Sequence, residues 1–61
     1  MADFFQHSTA IIDEGALIGE GSKIWHFSHI MSDCKIGDNC NISWDVTIMP
    51  GVHIGDNCVI A

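Results

Sequence analysis

The residues with the clearest chemical potential are four histidines, His7, His26, His29 and His53. An imidazole titrates near neutral pH, so it can accept a proton from an attacking amine or hydroxyl group. His26, His29 and His53 are therefore candidates for a general base. The alternative is that all three are surface, interface or substrate-contact residues. His7 lies outside the repeat described below and carries no such signal.

A metal centre is the second chemistry that histidines suggest, because three of them form a common catalytic zinc site. The two closest histidines, His26 and His29, are separated by only two residues. On the fold inferred below, this spacing points their side chains in different directions. We therefore predict no metal site.

Three cysteines, Cys34, Cys40 and Cys58, offer thiol chemistry. Their number is odd, no CxxC pair is present, and the chain does not begin with a secretory segment. No nearby cluster of cations would activate a thiolate. We therefore expect all three to be structural, with Cys40 and Cys58 stacked one above the other.

Composition excludes several classes of function. The 61 residues include 2 basic and 8 acidic side chains, which give a net charge of −6. This balance argues against nucleic-acid binding and against a polybasic membrane anchor. No apolar stretch is long enough to span a bilayer. We predict a soluble, cytoplasmic chain whose small core requires a partner copy or more sequence to be stable, and we expect a homo-oligomer.

The isoleucines recur at a fixed interval, and the fold that this interval indicates must position the histidines and cysteines. Nine of the ten isoleucines occupy every sixth position without a gap. A period of six fits neither a helix nor a simple strand, but it is typical of a solenoid with short straight segments and tight corners. The nine predicted core residues are Ile12, Ile18, Ile24, Ile30, Ile36, Ile42, Ile48, Ile54 and Ile60.

Two further slots of the hexad agree with this interpretation. The fourth residue after each isoleucine is small and is expected to point inward with the next isoleucine. The third is expected at a corner, where glycine, asparagine and aspartate tolerate a left-handed backbone. The small slot holds Ala16, Ser22, Ser28, Cys34, Cys40, Val46, Val52 and Cys58. The corner slot holds Gly15, Gly21, Phe27, Asp33, Asn39, Asp45, Gly51 and Asn57, with Phe27 as the exception in type.

A longer period of three hexads relates the segments 18–21, 36–39 and 54–57, which read IGEG, IGDN and IGDN. Three hexads therefore form one coil, and the sequence predicts an all-β parallel solenoid shaped as a triangular prism. Residues 12–59 supply eight hexads, or about 2.7 coils. We expect residues 1–9 to be an amino-terminal lead-in and residues 10–61 to form the coils, incomplete at the carboxyl end.

One predicted corner collects aromatic side chains. Trp25, His26, Phe27 and Trp44 fall on or next to the same edge, while most carboxylates line the other two. Exposed aromatic clusters usually mark a contact surface. Contact with another subunit is the favoured interpretation, and stacking on a nucleotide or incidental packing are the alternatives.

These slots together resemble the hexapeptide-repeat acyltransferases. Residues 7–43, with the distinctive segment IWHFSH at 24–29, are similar to UDP-2-acetamido-3-amino-2,3-dideoxyglucuronate N-acetyltransferases. Residues 46–61 are similar to late coils of the xenobiotic and maltose acetyltransferases. Ser43, Trp44 and Asp45 depart from the sugar-acetyltransferase pattern, where Gly-Gln-Asn-Val is expected after Ile42.

The resemblance implies a left-handed parallel β-helix that assembles as a trimer with its sites between subunits. It also implies acetyl-CoA as acyl donor and a nucleotide-linked amino sugar as acceptor, in bacterial surface-polysaccharide synthesis. His29 and His53 would lie on adjacent faces and on different coils, so they could share a site only across a subunit boundary. The alternative function is a non-catalytic truncated β-helix that serves as a structural or oligomerisation module.

Overall fold

The computed structural model describes residues 3–61, and every regular element in that range is a short parallel strand. Each strand has two residues, and a two-residue turn lies between each strand and the next. The strands are β1 (Phe5–Gln6), β2 (Ile11–Ile12), β3 (Leu17–Ile18), β4 (Lys23–Ile24), β5 (His29–Ile30), β6 (Lys35–Ile36), β7 (Asn41–Ile42), β8 (Thr47–Ile48), β9 (His53–Ile54) and β10 (Val59–Ile60).

Strands three apart in the chain pair with each other and form three parallel sheets. Their orders are β1-β4-β7-β10, β2-β5-β8 and β3-β6-β9. Every register is offset by three hexads, as between Ile18 and Ile36 or between Ile30 and Ile48. The fold is therefore a parallel β-helix of about three turns, consistent with the left-handed form. The predicted coil of three hexads is confirmed.

The interior of the prism is a stack of isoleucines. Ile24, Ile30, Ile36 and Ile42 are exposed by at most 2%. Complete burial of such a side chain contributes about 1.5–3 kcal/mol, so these residues supply much of the stabilising free energy. The isoleucines nearer the two ends of the described coils are more exposed. Ile12, Ile54 and Ile60 pack partly buried against this core.

Two residues of the small inward slot, Ser22 and Ser28, are polar and buried, and their hydroxyl groups have hydrogen-bond partners. The Ser22 hydroxyl donates a hydrogen bond to the Gly37 carbonyl at 2.6 Å and accepts one from the Cys40 amide at 3.0 Å. Cys34 and Cys40 are 1% exposed, as predicted, whereas Cys58 is only partly buried. Val52 departs from the prediction because it is 38% exposed in the last described coil, where nothing packs below it.

The corners adopt the conformation that the sequence pattern predicts. All eight residues of the corner slot have positive φ angles, including Phe27 at 58°. A left-handed backbone costs a bulky side chain roughly 1–3 kcal/mol, so position in the repeat outweighs residue type at Phe27. At one corner, side chains reinforce the stacking. The Asp38 carboxylate accepts a hydrogen bond from the Glu20 amide at 2.9 Å, and the Asp56 carboxylate accepts one from the Asp38 amide at 2.8 Å.

The amino-terminal segment contributes a strand that the isoleucine pattern does not indicate. β1 pairs with β4, and the amides of Phe5 and His7 donate to the carbonyls of Ser22 and Ile24, both at 2.9 Å. Gln6 occupies the slot that isoleucine fills elsewhere, so the isoleucine pattern does not indicate a strand here. Coiling therefore begins before residue 12, while the boundary predicted at residue 10 stays a prediction. Residues 3–61 contain no helix of the length and hydrophobicity that a membrane crossing requires.

The core assignment is tested by a matched pair of substitutions on β6. Ile36→Asp places an unpaired carboxylate in the interior, and we expect a loss of about 4 kcal/mol or more, enough to unfold the chain. Lys35→Asp changes the neighbouring, outward side chain and is expected to alter stability by less than about 0.5 kcal/mol. Thermal and urea denaturation followed by circular dichroism measure both. Equal destabilisation of the two variants would contradict the inward and outward assignment.

Candidate functional site

The aromatic corner, which we define as Trp25, His26, Phe27 and Trp44, lies in or directly before the turn between β4 and β5 and in the turn between β7 and β8, one coil below. The His26 ring lies 5.1 Å from that of Trp44 at an interplanar angle of 70°, and 6.3 Å from that of Trp25 at 13°. The His26 ring is therefore near those of both tryptophans. Phe27 points elsewhere, and its backbone amide donates to the Thr9 hydroxyl at 2.9 Å.

Two residues of the amino-terminal segment join this cluster. The Phe5 ring lies 4.9 Å from Trp25, and the His7 ring lies 3.8 Å from His26. Sequence reasoning did not place either residue in this cluster. The period of three hexads indicates the position of His7, since it places this residue in the slot above Trp25.

The members of the aromatic corner differ in how firmly they are held. The Trp25 indole N–H donates to the Asn41 side-chain oxygen at 2.8 Å, which fixes the ring against the sheet. Trp44 and Phe27 are each 66% exposed. The His26 Nδ1 atom is buried without a hydrogen-bond partner among residues 3–61. The corner thus has two aromatic rings, those of Trp44 and Phe27, that are largely exposed.

The second feature is a histidine–carboxylate pair on an outward sheet face. His29 lies on β5, and Asp13 follows β2 directly. The His29 Nε2 atom is 3.0 Å from the Asp13 Oδ2 atom, and the side chains are 35% and 41% exposed. Because β2 and β5 are paired and Ile11 lies opposite His29, Asp13 is held two residues beyond that position, on the same side of the strand. The carboxylate orients the imidazole, and Nδ1 has no hydrogen-bond partner within the described residues.

The structure separates the three predicted histidines. His26 is at a corner, His29 is on the sheet β2-β5-β8, and His53 is on the sheet β3-β6-β9. His53 is exposed and has no hydrogen-bonded side-chain partner between residues 3 and 61. Of the three, only His29 is paired with a carboxylate. Sequence reasoning did not single out Asp13.

Cavities and metal ligands add little to this site. Across residues 3–61, no group of three or more histidine, cysteine, aspartate or glutamate side chains is arranged to hold a metal ion. A surface depression of about 320 Å³ lies beside the amino-terminal strand and contains no histidine. It is lined by Asp3, Phe4, Phe5, Gly21, Ser22 and Lys23.

Two protein-family models match this chain. Residues 10–43 match the model described as bacterial transferase hexapeptide (six repeats), and residues 34–61 match that described as hexapeptide repeat of succinyl-transferase. The first match covers more than half of the chain and includes Asp13, His29 and most of the aromatic corner. The chain belongs to the bacterial hexapeptide-repeat transferase family. The resemblance to hexapeptide-repeat acyltransferases is thereby confirmed.

Several curated proteins are similar to this hexapeptide-repeat chain. An acyl-[acyl-carrier-protein]–UDP-N-acetylglucosamine O-acyltransferase of Mesorhizobium japonicum is 41% identical over 49 residues, which are 80% of this chain and 18% of the relative. The enzyme of the same name from Campylobacter concisus is 33% identical over 51 residues, 84% of this chain and 20% of the relative.

An N-acetyltransferase is also among the relatives. The dTDP-3-amino-3,6-dideoxy-alpha-D-galactopyranose 3-N-acetyltransferase of Aneurinibacillus thermoaerophilus is 50% identical over 38 residues, 62% of this chain and 19% of the relative. The chain thus spans about a fifth of the length of these hexapeptide transferases. No solved structure gives a significant match.

The aromatic corner of this hexapeptide-repeat chain makes a spectroscopic prediction. Trp44→Phe is expected to leave a blue-shifted emission that acrylamide quenches weakly, because the remaining Trp25 is packed and hydrogen-bonded. Trp25→Phe is expected to leave the red-shifted, strongly quenched emission of exposed Trp44. Steady-state fluorescence below the association concentration measures both. The reverse order of quenching would contradict the geometry.

Proposed function

We propose that this chain belongs to an acetyl-CoA-dependent N-acetyltransferase that acts on a nucleotide-linked amino sugar in bacterial surface-polysaccharide synthesis. The observation that carries the proposal is the His29–Asp13 pair at 3.0 Å on an outward, solvent-accessible face. Relatives that acylate sugar nucleotides, one of them at an amino group, favour this substrate class. The cytoplasm is the proposed location.

The proposed chemistry is acyl transfer assisted by a general base. An amine must lose its proton as it forms the amide bond, and a histidine beside a carboxylate can take that proton and be stabilised when it becomes charged. His29 would accept the proton on Nδ1, since Nε2 faces Asp13. Acetyl-CoA, when bound, supplies the acyl group as a thioester. Lys23 and Lys35 are exposed on the two sheets that do not carry His29.

A homotrimer with sites between subunits is part of this proposal. The outward faces of the sheets offer one wall of a groove, so a second subunit would supply the other. The aromatic corner is the proposed contact surface because Phe27 and Trp44 are two-thirds exposed. Most carboxylates lie on the other two edges, which lowers the repulsion between two copies of this acidic chain when they meet at this corner.

The alternative is a structural or oligomerisation module without catalysis. What favours it is the number of apolar side chains that point outward from the sheet faces, where packing against protein would cover them. Val59 is 74% exposed, Leu17 63% and Ile11 56%. Such side chains suit a packing surface better than a polar substrate groove.

Acetyl transfer distinguishes the two functions. The full protein is incubated with acetyl-CoA and a panel of nucleotide-linked amino sugars, with acyl-carrier-protein thioesters as alternative donors, and release of free thiol is followed. We expect transfer to one amino sugar. His29→Gln is expected to reduce kcat about 10²–10⁴-fold, as loss of a general base does, and Asp13→Asn is expected to reduce it less.

The matched control is His53→Gln, which changes an outward histidine on another sheet and is expected to leave the rate unchanged. A folded His29→Gln protein with the parent rate would contradict the assignment of the base. A folded trimer that transfers no acyl group from any donor would favour the structural module.

Association is tested at the aromatic corner. Trp44→Ala and Phe27→Ala are each expected to weaken the oligomer by about 2 kcal/mol or more, the usual effect of losing an aromatic anchor. Leu17→Ala, equally exposed but on a sheet face, is the control and is expected to change little. Sedimentation equilibrium gives the dissociation constants. An intact oligomer with nucleotide affinity reduced by about 1–3 kcal/mol would instead indicate a stacking platform.

A further inference from the structure

Two of the three cysteines share one column of the prism. Cys40 and Cys58 are three hexads apart, and each directly precedes a strand of the pair β7–β10, in which Asn41 lies opposite Val59. The Asn41 amide donates to the Cys58 carbonyl at 2.8 Å, so the two cysteines occupy equivalent positions in adjacent coils. Ser22 occupies the same slot one coil earlier.

Side chains in this slot point toward the next coil. The Ser22 hydroxyl reaches the Gly37 carbonyl at 2.6 Å and lies 3.0 Å from the Cys40 amide nitrogen. The Cys40 thiol repeats the first contact, because it donates to the Gly55 carbonyl at 2.9 Å. The Cys40 sulfur is therefore directed into the coil that carries Cys58.

We propose that Cys40 and Cys58 form a reversible disulfide that fastens the last described coil to the one before it. Adjacent paired strands lie about 4.8 Å apart, which is within the range of about 4.4–6.8 Å that disulfides span between Cα atoms. Neither cysteine has a role in the proposed acyl transfer, so this site is independent of that function.

The oxidant is a low-molecular-weight disulfide such as glutathione disulfide. Cys58 is partly exposed whereas Cys40 is buried, so the Cys58 thiolate attacks first, forms a mixed disulfide and releases one glutathione thiolate. The Cys40 thiolate then attacks the Cys58 sulfur and releases the second. In total two protein thiols are oxidised to one disulfide, and one glutathione disulfide is reduced to two thiols.

Cys34 provides an internal control. The residues one coil before and one coil after it are Ala16 and Val52, so no thiol lies above or below it. Its own thiol donates to the Met49 carbonyl at 2.8 Å. The register therefore allows one disulfide within the chain and excludes Cys34 from it.

The experiment uses the folded chain in glutathione disulfide, followed by alkylation of free thiols under denaturing conditions and cleavage after Lys23 and Lys35. This cleavage separates fragment 24–35, which contains Cys34, from fragment 36–61, which contains the other two cysteines. We expect fragment 36–61 to carry no alkyl group and to be lighter by two hydrogen atoms than its reduced form. Further cleavage after Trp44, the one aromatic residue of this fragment, should leave its two parts joined until reductant is added.

Serine variants are suitable because Ser22 already fills this slot in the first coil. Cys34→Ser is expected to retain the disulfide, whereas Cys58→Ser is expected to abolish it and leave Cys40 free for alkylation. The oxidised parent is expected to melt about 10 °C or more above the reduced form, since the link closes a loop of one whole coil. That shift should be absent from Cys58→Ser.

Two results would overturn the proposal. One is a fragment 36–61 with both thiols alkylated after prolonged exposure of the folded chain to glutathione disulfide. The other is a disulfide that joins fragment 24–35 to fragment 36–61, or that links two chains, in place of the internal one.

Discussion

Every element of this molecule depends on the hydrogen bonds between successive coils. A strand of two residues has no stability of its own, so each coil is held by those above and below it. The amide of Lys23 donates to the carbonyl of Cys40, and that of Asn41 to the carbonyl of Cys58, both at 2.8 Å. At Gly37, an added Cβ would lie 2.7 Å from the Gly55 carbonyl carbon. Stacking this close demands that every coil repeat the backbone path of the coil before it.

This constraint divides the residues into two groups. Inward positions and corners must repeat, because each rests on its equivalent in the next coil. Outward positions carry no such requirement and are free for chemistry. The His29–Asp13 pair depends on both groups. The repeating backbone pairs β2 with β5, and this pairing brings two outward side chains 16 residues apart into contact. A single coil does not contain this site.

The same division explains what could be predicted from the sequence. The sheets, core and corners follow from periodic slots, and even Phe27 has the left-handed backbone, at a φ of 58°, that its position required and its type did not. β1 was missed because Gln6 stands in the slot before Ile12 where one more isoleucine would have indicated a strand. The His29–Asp13 contact was missed because rotamers of outward side chains determine it, and the period does not constrain them.

Stacking also determines where in the molecule a site is most rigid. In a solenoid each coil contacts only its neighbours, so order is greatest where both neighbours are present. β5, which carries His29, is the central strand of its sheet, with β2 on one side and β8 on the other. Ile30, the next residue, is completely buried. A proton acceptor must be held within a fraction of an ångström of its working position. The central coil therefore meets this demand better than the coils at either end, and this favours His29 over His53 as the base.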